Sequence, residues 1–262
     1  MKQSENLFEE DWEHLIVLDA ARYDFLKKMF DQYISGNLEK VWSLGHNTPS
    51  WLRNTWKGYF EDIVYVSANP YVNSMGVDRG GFDATEHFGK VLDIWDCGSD
   101  NSLGIALPET VANATKTIAD EYSDKRTITH FLQPHQPYLL EMENDSFETR
   151  FQSKTFKIVK KSKGVLGKIS DKADDVFSYL GLEGEKPVEN FAKKYGDDVL
   201  KYAYKHNLKR ALGTVSELVE YLDGKVVITA DHGEFLGEGG YYGHHYKSEH
   251  SIQREVPWIV AS

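Results

Sequence analysis

KVVITADHGEFLGE, from Lys225 to Glu238, is where a buried strand runs straight into a cluster of metal-binding groups. Val226, Val227, Ile228 and Thr229 form a β-branched run with no polar alternation, the pattern of a strand covered on both faces. The run ends at Ala230. Asp231 and His232 then project from the carboxyl end of the strand, where open α/β sheets place their ligand sites, and Gly233 lets the chain turn sharply there. Asp231, His232 and Glu234 offer oxygen and nitrogen donors within four residues, a mixture that suits zinc or manganese better than calcium or magnesium. A strand end closed by an Asx-type turn and a solvated acid is the other reading of the same residues.

Working outward from this stretch, the residues before it predict a long helix from Asp197, with Tyr204, Leu208, Ala211, Val215, Leu218 and Leu222 on one face. After it comes a Gly- and His-rich loop, GGYYGHHYKSEH, and a last short strand in VPWIV. A second strong strand, His14 to Ala20, also ends on a carboxylate, Asp19, and leads into a predicted helix over ARYDFLKKMFDQYI. Arg22, three residues past Asp19, is either an ion-pair residue or an anion clamp. Residues 40–56 read as a short strand, a turn and a helix opening at Thr48-Pro49, with Thr48 as N-cap and Pro49 in the first helical position. Asp62 to Ala68 and Thr127 to Leu132 are two further strands. The second runs into QPHQPY, where the prolines flanking His135 stiffen the loop. Residues 72–107 read as irregular with one short strand near Val91 to Trp95, and Pro108 opens a helix. Residues 141–189 break the alternation, and their basic patch suggests a helical insertion or lid within a single domain spanning 1–262. His206 and His250 read as structural or surface groups.

Composition narrows the class. The chain has 262 residues, 40% of them apolar and 13% aromatic, enough for one large α/β domain with a sizeable core. A net charge of −11 disfavours a nucleic-acid surface, which needs a basic face. No apolar run is long enough to span a bilayer, and the start, MKQSENLFEEDWEH, is polar and acidic, so the expected location is cytoplasmic. A single cysteine, Cys97, excludes an internal disulfide.

Several strand ends carrying Asp19, His135, Asp231 and His232, with Thr48 after the second strand, would converge on one edge of a mostly parallel sheet sandwiched by helices. In order, LIVLDAARYD, GHNTPSWL, FLQPHQPY and ITADHGEFLGEGGYYGHH followed by REVPWIV resemble the alkaline phosphatase superfamily, and within it the sulfatase-like branch. The resemblance covers Leu15 to Val260. It implies a three-layer α/β/α fold and a divalent metal held by Asp19, Thr48, Asp231 and His232. It implies Thr48 as the nucleophile, because a divalent cation makes a hydroxyl a usable nucleophile at neutral pH and polarises the ester oxygen. By the same resemblance His244 or His245 completes a second metal site or contacts the substrate anion, and His135 faces the substrate. Glu234 then orients a ligand rather than binding metal itself.

The sequence also departs from the family pattern. Cys97 is followed by GSDN, which lacks the context for formylglycine, and Asp19 is followed by Ala20 and Ala21 where calcium-dependent sulfatases carry a second carboxylate. Both departures point to zinc or manganese and to phosphoryl rather than sulfuryl transfer. An Asp with a His four residues later does not occur upstream of Asp231. One metal, or an incomplete second site using His135 and His244, is expected. Aligned on Pro49-Ser50, Asn47 rather than Thr48 falls at the nucleophile position. The expected function is a metal-dependent hydrolase or transferase of phosphoric or sulfuric esters, phosphatase or phosphodiesterase in type, acting on a small molecule, a glycan or a lipid head group. A catalytically inactive anion-binding scaffold and a phosphoglycerate mutase-like isomerase are the alternatives.

Overall fold

The computed structural model describes residues 2–98, 104–139, 186–244 and 249–262. The strands that build the main sheet are β1 (His14–Leu18), β2 (Gly36–Trp42), β3 (Phe60–Ser67), β4 (Phe88–Asp93), β5 (Arg126–Phe131), β6 (Val226–Thr229) and β9 (Glu255–Ala261). A two-stranded hairpin, β7 (Phe235–Leu236) with β8 (Tyr242–Gly243), stands beside it. The sheet order is β2-β9-β6-β1-β5-β3-β4. From β6 to β4 all pairs are parallel, whereas β9 runs antiparallel to both β6 and β2. The four strands read from sequence as neighbours are therefore contiguous, as β6-β1-β5-β3.

The β-branched and aliphatic runs are buried throughout: Leu15 to Leu18 in β1 and Val227 and Ile228 in β6 have no exposed surface. Helix Pro108–Glu121 packs on β5 and β3 and against the long helix Asp197–Tyr221, and helix Tyr23–Leu26 packs on β9. The apolar face of the long helix is the one its spacing predicts, with Tyr204, Leu208, Ala211, Val215 and Leu218 buried. Register then fixes the site. Val17 of β1 lies between Thr229 of β6 and His130 of β5, and Ser67 of β3 lies beside His130, so the carboxyl ends of four strands meet.

Three expectations are corrected. The predicted helix over residues 21–34 is instead the short helix Tyr23–Leu26 and a 3-10 turn, Phe30–Gln32. Three-residue hydrogen bonds, Lys28 N–H to Phe25 O and Met29 N–H to Leu26 O, tighten the chain after one turn, and Met29 adopts a non-helical φ of −144°. Helix Thr48–Thr55 is capped by Asn47, not by Thr48. The strand near Val91 starts earlier, at Phe88. The expected insertion over 141–189 lies outside the described residues except at its end, where helix Pro187–Tyr195 begins. Among the described residues no helix is long and apolar enough to cross a membrane.

Candidate active site

Two strand ends build the centre. Asp19 follows β1, and its backbone N–H donates to the Phe131 carbonyl at 3.1 Å. The next residue, Ala20, sits at φ 59°, a left-handed conformation that costs a residue with a side chain roughly 1–2 kcal/mol. Two hydrogen bonds hold it there: its N–H donates to Asp231 Oδ1 at 3.1 Å and its carbonyl accepts from the Tyr204 hydroxyl at 2.7 Å. Asp231 Oδ1 also accepts from the His232 N–H at 2.9 Å. With one oxygen fixed by two backbone donors, the other, Oδ2, is aimed at Thr48 and His232. Gly233 is required here, because a Cβ at this position would collide with the Ile252 carbonyl.

His232 Nδ1 lies 3.0 Å from the Gly233 carbonyl and donates its proton there, which leaves Nε2 as a lone pair. That nitrogen is 3.3 Å from Asp231 Oδ2, 3.5 Å from Asp19 Oδ1 and 3.4 Å from Thr48 Oγ1. The Thr48 hydroxyl donates to Asp231 Oδ2 at 2.7 Å. Four donors set tetrahedrally at about 2.0–2.1 Å from a zinc ion lie about 3.3 Å apart, so this spacing fits such an ion. Asp19, Asp231 and His232 are all buried, and their candidate ligand atoms lie within 4.8 Å of one another. Asp19 Oδ1 is buried and accepts no hydrogen bond. Burial first, and then the charge of Asp231, push the Asp19 carboxyl well above its ordinary pKa. Burial holds His232 neutral, down to about 3. Neutral imidazole beside two crowded carboxylates is a donor set short of a cation.

Asn47 explains why the Thr48 hydroxyl is available. The Asn47 side chain accepts from the Ser50 N–H at 2.9 Å, the N-cap bond of helix Thr48–Thr55. Asn47 is thereby occupied in capping, and Thr48, one position further, turns its hydroxyl into the cluster.

A second group forms beside the first. His135, Glu234 and His244 are gathered with candidate ligand atoms within 4.8 Å of one another. The His232 and His244 rings are 4.5 Å apart and those of His135 and His244 5.0 Å. Glu234 is fully buried and neither of its carboxylate oxygens accepts a hydrogen bond. Burial pushes Glu234 up to about 7 and His135 down to about 4. The His135 loop is clamped by Asn207 of the long helix, whose side-chain N–H groups donate to the carbonyls of Pro134, His135 and Pro137 at 3.1–3.3 Å and whose oxygen accepts from the Leu139 N–H at 2.6 Å.

The guanidinium of Arg22 is engaged elsewhere: it bonds both oxygens of Asp24 at 2.9 and 2.8 Å, Glu238 at 2.6 Å and the Glu234 carbonyl at 3.3 Å. Burial alone would lower its pKa, and the two carboxylates outweigh it and raise it. His245 lies outside the described residues. His250 caps the short helix Ser251–Arg254 by accepting from the Ile252 N–H. Sequence reasoning passed over Asn69 and His130. Asn69, two residues past the end of β3, donates to Asp19 Oδ2 at 2.7 Å and lies 3.5 Å from Thr48 Oγ1. The signal for it was the polar turn SANP at a strand's carboxyl end. His130 is buried inside β5 with Nε2 3.9 Å from Asp231 Oδ2.

No family model matches the sequence, and no curated protein does. Solved structures do. The soluble domain of lipooligosaccharide phosphoethanolamine transferase A from Neisseria meningitidis matches 95% of this chain and 75% of its own, at 14% identity and a TM-score of 0.56. The C-terminal periplasmic domain of EptC from Escherichia coli, in complex with zinc, matches 100% of this chain and 75% of its own, at 10% identity and 0.55. The phosphonate monoester hydrolase of Agrobacterium radiobacter matches 94% and 67%, at 11% and 0.51. This is the sulfatase-like fold of the alkaline phosphatase superfamily. At such identities the likeness carries the fold alone. It also corrects the cytoplasmic expectation: proteins of this sulfatase-like fold include periplasmic domains, and the absence of a spanning helix from the described residues does not place the chain in the cytoplasm.

Proposed function

We propose that the chain is a metal-dependent enzyme of phosphoric or sulfuric ester transfer, with Asp19, Thr48, Asp231 and His232 as the metal site and Thr48 as the nucleophile. The carrying observation is the Thr48 hydroxyl, 2.7 Å from Asp231 Oδ2 and 3.4 Å from the His232 lone pair, beside the unbonded Asp19 Oδ1. A divalent ion at this position would favour the deprotonated hydroxyl and polarise the ester. The Thr48 hydroxyl donates to Asp231 Oδ2 and so faces the position the ion would take. Asn69 holds Asp19 by one N–H and reaches toward Thr48 Oγ1, where an oxygen of the transferred group would sit. His135, His244 and Glu234 stand next to this centre and supply either contacts to the substrate anion or a second metal position. The mixed oxygen and nitrogen donors favour zinc or manganese, and EptC of like fold was solved with zinc.

A phosphodiester of a lipid head group or glycan is the substrate class we favour, since proteins of this fold include phosphoethanolamine transferases. Asn47, whose alignment with the nucleophile position argued for an inactive scaffold, is the helix cap. Metal analysis of the purified protein, with assays on aryl phosphate, phosphodiester and sulfate esters, tests the proposal. Bound zinc or manganese with faster turnover of phosphate esters is expected; full metal occupancy with no turnover of either ester class would decide for a scaffold.

A further inference from the structure

His130 belongs to no ligand group, yet it is fully buried and faces Asp231. It stands on β5 between Val17 of β1 and Ser67 of β3 and has no exposed surface. The Trp51 ring meets it edge-on, with centroids 6.1 Å apart. Its Nδ1 is 2.8 Å from the hydroxyl of Tyr65, a residue of β3 that is equally buried. Its Nε2 is buried, makes no hydrogen bond, and faces Asp231 Oδ2 at 3.9 Å.

These contacts select a tautomer. If Nδ1 carried the proton, it would donate to the Tyr65 oxygen, and the buried Tyr65 hydroxyl proton would have no acceptor. The Nε2 lone pair would then face a carboxylate oxygen, which is repulsive. If Tyr65 donates to Nδ1, its proton is used and Nε2–H points at Asp231 Oδ2, an attractive arrangement. A separation of 3.9 Å is too long for a hydrogen bond, so in this state the N–H acts as a dipole aimed at the carboxylate. We infer that His130, held by Tyr65 as the Nε2–H tautomer, is a positioning residue that orients the Asp231 carboxylate within the metal site. The inference rests on the proposed role of Asp231 as a ligand. Partners hydrogen-bonded to a ligand typically change metal affinity by about 10- to 100-fold when removed, and without that bond His130 is expected at the foot of the range, well short of the loss of a ligand itself.

The test has one arm without metal and one with it. In the metal-free protein, nitrogen NMR of His130 is expected to show protonated Nε2 and unprotonated Nδ1; the opposite tautomer overturns the inference whatever the protein binds. In the second arm zinc affinity is measured by chelator competition. His130→Phe is expected to weaken it about 10-fold, Tyr65→Phe to weaken it less, and His130→Gln, whose Nε2–H reaches a similar position, to restore it to within a few-fold. Thermal melting of metal-free His130→Phe is expected below the parent, and that of the His130→Phe/Tyr65→Phe double variant above His130→Phe, because the buried Tyr65 hydroxyl loses its acceptor in the first and is removed in the second. Zinc affinity of His130→Phe within twofold of the parent overturns the inference, and so does complete loss matching Asp231→Asn, which would make His130 a ligand. Should His130→Phe fail to fold, the tautomer and Tyr65→Phe decide. A parent protein that binds no zinc or manganese sinks the proposed function, and the tautomer still decides the state of His130.

Discussion

The two buried groups at the carboxyl edge differ in how they are held. The group of Asp19, Thr48, Asp231 and His232 is set by strand ends: backbone N–H groups of Ala20 and His232 fix one oxygen of Asp231, and the Gly233 carbonyl fixes the His232 ring. The neighbouring group of His135, Glu234 and His244 hangs on loops, with Asn207 clamping one of them and both Glu234 oxygens left without a hydrogen bond. Another buried histidine, His14 at the amino ends of the strands, marks the contrast. Both of its nitrogens are satisfied, by the Thr127 hydroxyl at 2.7 Å and the Asp223 carbonyl at 3.0 Å. His14 is thus paired within the protein, whereas Asp19 Oδ1 and both Glu234 oxygens at the carboxyl edge accept no hydrogen bond. On the proposed function, the strand-end group would hold the ion and the nucleophile, and the loop group would meet the substrate or a second ion.

The largest effects should separate these groups. Thr48→Ala is expected to retain zinc, more weakly, on Asp19, Asp231 and His232 and to lose turnover by on the order of 10⁴- to 10⁶-fold, since covalent catalysis needs the hydroxyl and three ligands remain. Thr48→Ser should keep part of the activity. Steady-state kinetics beside metal analysis checks this, and unchanged turnover in Thr48→Ala would remove the nucleophile assignment. Asp231→Asn is expected to lose metal and turnover together, because it breaks the oxygen that both Thr48 and His232 face.

Glu234→Gln should act on the other group and cost less, about 10- to 100-fold in turnover. A loss equal to that of Asp231→Asn would make the loop group a metal site of the same rank. The same variant has a stability signature in metal-free protein. Glu234 is raised from 4.5 to about 7, so between those values the unfolded chain releases a proton that the folded chain keeps. Folding is therefore penalised progressively as pH rises from about 4.5 to about 7 and by a constant amount above. Glu234→Gln should match the parent below pH 4.5 and exceed it at pH 8 by on the order of 1–3 kcal/mol. Urea unfolding at both pH values measures the difference; an advantage that is greatest in acid would contradict the buried, unpartnered carboxylate.

The legible part of the molecule is the part written locally. β1, β3, β5 and β6 announce themselves as apolar runs, and a carboxylate just beyond such a run needs a partner, which singles out Asp19 and Asp231. Strand order is less local: nothing near VPWIV says that β9 lies antiparallel between β6 and β2, because that pairing joins segments far apart in sequence. His130 was hidden for a related reason. In a strand buried on both faces no alternation reports which side chain points toward the site, so it looked like one more core position. Glu234 was legible as a site residue but not as a companion of His135 and His244, since only the folded loops bring the three together. Local capping chemistry was ambiguous too, as Asn47 and Thr48 are both good N-cap residues and adjacent.

That ambiguity yields the smallest effect and the sharpest separation of structural from chemical roles on one helix. With Asn47 as the cap, Asn47→Ala removes the acceptor of the Ser50 N–H and should cost about 1 kcal/mol of stability. Turnover should fall by no more than a few-fold, because the Thr48 hydroxyl and its neighbours remain. Thr48→Ala should lose turnover, and the stability it loses comes from the hydrogen bond to Asp231 Oδ2 rather than from the helix end. The two variants thus separate in kinetics. If Asn47→Ala is neutral in chemical denaturation, Thr48 is the cap after all. Its hydroxyl would then be occupied at the helix end, and the case for it as the nucleophile would fail with the geometry that supports it.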